Sequence, residues 1–148
     1  MRRKIVWAAC AALAVLMVGG CGGGGGSSGN HLSRSEFLAK GNVICSKSGA
    51  EIGAAAHKAL GPGRPTATQF TQFATGYVIP ASETLLVELR KLAPPAGDEK
   101  QVTAILHAQR KAIDTLKANP AALAREDPFA TTQRLAAAYG LKACGPSS

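Results

Sequence analysis

The chain is poor in residues that hold metals or drive reactions. Neither of its two methionines lies beyond position 17. The chain downstream of that point therefore has no thioether to offer a metal or haem. No Cys-x-x-Cys or Cys-x-x-Cys-His spacing occurs. His31, His57 and His107 each lack a second histidine or cysteine at ligand spacing, so the sequence points to no metal and no cofactor. The Gly-x-Ser-x-Gly and Ser-x-x-Lys signatures of activated serines are missing. Carboxylates are few, nine against 17 Lys and Arg. Glu83 and Glu88 are five apart, so they do not share a helix face, although Glu83 falls close to Pro80, where a kink could form a polar cleft. Asp98-Glu99 and Glu126-Asp127 sit where helices should begin, a position the helix dipole favours for negative charge. Nothing here assigns a catalytic residue, and the expectation is a domain that is not an enzyme. Runs of alternating apolar and polar residues are also missing, which removes the signal of a half-buried strand.

What the chain does have begins at its N-terminus. Met1-Arg2-Arg3-Lys4 is positive, and Ile5 to Val18 is apolar, Ala-rich and uncharged. The run from Ile5 to Gly20 is 16 residues long, short of the roughly 20 a membrane-spanning helix needs. This layout is that of a secretory signal. The paired arginines fit a twin-arginine signal loosely, and the general secretory route fits better.

At Val18-Gly19-Gly20-Cys21 the chain resembles the lipobox of bacterial lipoproteins, an aliphatic residue and two small residues before a cysteine. The resemblance implies transfer of a diacylglyceryl group to the Cys21 thiol and cleavage between Gly20 and Cys21. Val18 departs from the usual leucine, and Gly19 is also less usual. Two acyl chains suffice for stable anchoring, where one is marginal. The expected location is the outer face of the cell membrane, with the bilayer as a partner through acylated Cys21. Residues 21–32, CGGGGGSSGNHL, would be a flexible tether. Its glycine tract follows no strand and precedes no Gly-Lys-Ser/Thr, which excludes a phosphate-binding loop. Without Arg2, Arg3 and Lys4 the basic residues fall to 14 against nine acidic, a net +5. That excess suits an anionic envelope surface. The charges are scattered with few aromatics among them, so no nucleic-acid partner is expected.

The cysteines divide by place. Cys10 leaves with the signal and Cys21 is the anchor. Cys45 and Cys144 remain as an even pair, which in an exported chain reads as a disulfide; two free thiols are the alternative.

Residues 33–148 read as a helical domain. Ser33 and Glu36 fit a capping box opening a first helix over about 34–60, with Phe37, Val43, Ile44, Ile52, Ala55 and Ala56 at roughly helical spacing. Gly49 and Gly53 suggest a close approach by another helix. Thr66 or Thr68 can cap a second helix with Phe70, Phe73, Tyr77, Leu85, Leu86, Leu89 and Leu92 as its apolar stripe. Pro80 should kink or split it. Asp98 can cap a third helix, a short turn fits 121–125, and Asp127-Pro128 starts a fourth that stops at Gly140 with Leu141 in apolar contact. The fold expected is an all-α antiparallel four-helix bundle, one helix kinked at Pro80, with Cys144 reaching Cys45 because first and last helices are neighbours. The aromatics Phe70, Phe73, Tyr77, Phe129 and Tyr139 are expected in the core, with a pocket near Pro80 as the best place for an apolar ligand. Beyond the lipobox, the domain resembles small Ala-rich lipoproteins of high-GC Gram-positive bacteria, which carry one early and one late cysteine and end in a segment like Tyr139-Gly140-Leu141-Lys142-Ala143-Cys144-Gly145. That resemblance implies no activity. The reading is therefore a lipid-anchored, non-catalytic domain that binds an envelope partner or small ligand. The alternatives are a scaffold engaging proteins through a helix face and, with no residue to support it, a cell-wall hydrolase.

Overall fold

In the computed structural model the described residues are 31–146. The expected signal, the expected cleavage site at Gly20 and Cys21, and the part of the expected tether up to residue 30 lie outside them. Helix α1 (Arg34–Leu60) opens with the expected capping box: the Ser33 side chain accepts from the Glu36 N–H, and Glu36 Oε2 accepts from the Ser33 N–H at 3.0 Å. Ser33 also holds the Glu36 carboxyl below the usual carboxylate range, by its hydroxyl first and its N–H second. The domain starts slightly before Ser33. His31 Nδ1 lies 2.7 Å from the Pro94 carbonyl, the Leu32 N–H donates to Ala93, and Leu32 packs on the core.

Thr66 caps α2 (Ala67–Phe73) with a second capping box through Gln69. Pro80 does not split this helix. A π turn over Ala74–Val78 carries the backbone without a break into α3 (Ile79–Arg90), the Ile79 N–H reaching back five residues to the Ala74 carbonyl. The wider turn absorbs the proline, which has no N–H to donate and would crowd the preceding turn of a regular α-helix. The turn holds one residue more than an α turn, so the face phase shifts. Phe73, Ala74, Val78 and Ile79 are buried, whereas Tyr77, expected in the core, is 48% exposed.

Helix α4 (Glu99–Ala118) buries Val102, Ile105, Gln109, Ala112, Ile113 and Leu116, a stripe at helical spacing. Asp98 stands before it without capping it. Its carboxylate is taken instead by Arg34 Nη1 at 2.7 Å and the Tyr139 hydroxyl at 2.8 Å. The short turn expected at 121–125 is a 3-10 turn at Pro120–Ala124. Helix α5 (Ala130–Tyr139) starts two residues after Pro128. Asp127 acts from just outside, accepting from the Phe129 N–H and from Gln133 Nε2. Gly140, at φ 111°, stops α5; its N–H reaches Ala137 and that of Leu141 reaches Ala136, with Leu141 buried beneath.

With α2, the π turn and α3 as one helical run, the described residues form a four-helix all-α bundle. A 3-10 turn at Lys142–Cys144 carries the chain back to α1, where Cys144 is joined to Cys45 across a Cα–Cα distance of 5.1 Å. The core is divided. One cluster gathers Phe37, Val102, Ile105, Ala136, Tyr139 and Leu141 at the end where α1 begins. The other gathers Phe73, Ala74, Val78, Ile79, Leu86, Ile113 and Leu116 towards the far end. The first end is clamped by Arg34, which donates to the Tyr139 carbonyl at 2.8 Å and lies 4.5 Å from the centre of the Tyr139 ring. The Phe37 and Tyr139 rings meet edge to face at 5.9 Å.

Candidate functional site

Between the two core clusters lies a cavity of about 400 Å³, within the range of small-molecule sites. Its position follows from how the helices pair. Helix α1 lies against α3 and the C-terminal 3-10 turn, while α5 lies against α4 and that same turn. The space between α1 and α5 is thus bridged by the Lys142–Cys144 turn and its disulfide. The exposed part of the wall is formed by Gly49, Gly53 and Ala143, which places the mouth there. Gly49 and Gly53 were expected to admit a neighbouring helix. Instead, a Cβ at either would meet nothing within 4 Å, so these glycines widen an opening. The close approach on α1 occurs at Gly41, where a Cβ would lie 2.5 Å from Leu141 Cδ2.

The wall is apolar at both ends and polar at its middle. Ile52, Phe73, Val78 and Phe129 line one end, and Leu89, Ile105 and the Cys45–Cys144 disulfide line the other. Ser48, Ser82, Gln109 and Thr132 lie between them, one each from α1, α3, α4 and α5. These are the buried polar side chains among the described residues, and all of them line this cavity. The Ser48 and Thr132 hydroxyl oxygens find no hydrogen-bond partner. An unpaired buried hydroxyl costs about 1–3 kcal/mol, so a belt of this kind calls for an explanation beyond packing. Among the described residues no Lys, Arg, His, Asp or Glu lines the cavity.

The belt carries a sequence signal that helix-by-helix reading passes over. Ser48 continues the buried face of Phe37, Gly41 and Cys45, and Gln109 interrupts the apolar stripe of α4. A polar residue on an apolar face is readable in one helix. That the four line one cavity depends on how the helices pack.

At Pro80 itself there is a second pocket of about 300 Å³, which Pro80 and Tyr77 line together with Glu51 and Ile52, while the cavity described above takes Phe73 and Val78 from either side of the π turn. Glu83 is engaged with Lys117 at 2.5 Å, and Lys91 with Glu88 at 2.6 Å. His57 and His107 are exposed. Among the described residues no three His, Cys, Asp or Glu lie close enough to hold a metal ion, and no helix is long and apolar enough to cross a membrane. Among the described residues three large apolar side chains are exposed, Val43, Tyr77 and Val87, and they lie on three different segments. No protein-family model, curated protein or solved structure matches this chain.

Proposed function

We propose that the chain is a lipid-anchored protein on the outer face of the cell membrane, whose helical domain holds a small ligand without transforming it. The anchor rests on the signal and Val18-Gly19-Gly20-Cys21. The binding role rests on one observation: the buried polar side chains of four helices line a single cavity, and two of their hydroxyls lack partners. These two hydroxyls lie beside the cavity, and a turn of either side chain would present them to a bound molecule with polar atoms. The wall offers hydrogen bonds and apolar contact, which position a ligand, and no general base to react with it.

Both parts can be tested separately. Cys21→Ala should abolish metabolic acyl labelling and release the protein from membranes; retention with label overturns the anchor. Native mass spectrometry of the chain purified from its own cells should show a small noncovalent adduct. The double variant Gly49→Leu, Gly53→Leu narrows the mouth at positions with open space, and it improves helix propensity by roughly 1 kcal/mol per glycine replaced. It should melt no lower than the parent and lose the adduct. An adduct unchanged by the double variant overturns this cavity as the site.

A further inference from the structure

We infer that the ligand is an uncharged, single-chain amphiphile whose ester, amide or hydroxyl group sits at the level of Ser48, Ser82, Gln109 and Thr132; this rests on the ligand-binding reading above. The absence of charge follows from the wall. Removing an ion from water costs far more than removing a neutral polar group, and the cost is met by a paired opposite charge. Of the 23 Lys, Arg, Asp and Glu among the described residues, none lies in this wall. Hydroxyls and a carboxamide both donate and accept, which suits a carbonyl or hydroxyl and leaves a carboxylate or ammonium without a counterion.

The shape of the ligand follows from the extent of the wall. Along α1 the lining runs from Cys45 to Gly53, and from Val78 at the end of the π turn along α3 to Leu89. At 1.5 Å per residue these are lengths of about 12 and 16 Å. Spread over such a length, 400 Å³ leaves a mean cross-section of roughly 25–35 Å². An extended hydrocarbon chain, with neighbours ~4.5 Å away, occupies roughly 20 Å². The cavity therefore fits one chain with some slack, the polar belt receiving a neutral head group and the apolar wall its hydrocarbon.

The test uses the full chain in phosphatidylcholine nanodiscs and three photoreactive probes of equal chain length bearing a diazirine: a monoacylglycerol, the matching fatty acid at pH 8, and the matching alkane. Peptides carrying Ile52, Leu89 and Phe129 should be labelled by the monoacylglycerol about tenfold more than by either other probe, a difference of about 1.4 kcal/mol. Thr132→Val should melt no lower than the parent, having lost only an unpaired hydroxyl, yet label more weakly; Ser48→Ala provides the same comparison on α1. Equal labelling by the three probes, or preference for the carboxylate or alkane, overturns the ligand class and leaves binding in place. Labelling of these peptides by none of them also overturns the ligand class, and the adduct seen by native mass spectrometry then decides the binding reading. Probe preloaded in the bilayer and probe added from solution form two arms; labelling in the first alone assigns the membrane as the source, and in the second alone the aqueous phase.

Discussion

Tyr139 shows how much a single side chain ties together at the closed end of the bundle. Burial, first, and then the hydrogen bond to Asp98 and that carboxylate's charge push its phenol up to about 12, against the pull of Arg34. The fold thus favours the neutral phenol. Its contribution is fully present below pH 10, where the unfolded phenol titrates, and is lost as pH rises from there through about 12. The urea midpoint of the parent should therefore fall more steeply across this window than that of Tyr139→Phe. At pH 8 the same variant should be less stable by about 1–2 kcal/mol, because Asp98 loses a donor. Asp98 itself marks a limit of reading locally. Its place before α4 predicts a cap, but its carboxylate serves two partners 64 and 41 residues away in sequence, and no local pattern announces that.

At the scale of elements, boundaries set by local chemistry were legible. The Ser33–Glu36 box and the Gly61 stop enclose the 34–60 span read from the pattern, and Gly140 ends α5 as its sequence demands. Gly140→Ala should cost about 1–2 kcal/mol in a urea titration, since φ is 111° and the new Cβ would press on Leu38 at 3.3 Å. The response to Pro80 was not legible. A kink, a break and a π turn each relieve the proline equally well within one helix. The choice is made by tertiary packing, since α2 rests on α1 and the 3-10 turn after α4 while α3 rests on α1 and α4. Tyr77 was misplaced for the same reason, because periodicity counted through a π turn assigns later residues to the wrong face.

For the whole molecule, the bundle and the Cys45–Cys144 pairing were both legible, because short loops impose antiparallel neighbours and the two cysteines fall on the first helix and after the last. The cavity was not, since it depends on α1 and α5 being joined through a turn at one level and left open at another. The disulfide spans 99 positions, and a loop of that size restricts the unfolded chain by about 4–5 kcal/mol. Reduction by dithiothreitol should lower the urea midpoint accordingly; an unchanged midpoint would show that the bridge contributes nothing to stability. The same bridge has a mechanical consequence. Residues 45–144 form a closed covalent ring, so a pull applied through the N-terminus can draw out only the chain ahead of Cys45. Of the described residues that is 31–44, which stretch to about 50 Å at most. Under load that segment would straighten to this length and then stop, with the covalent ring still closed.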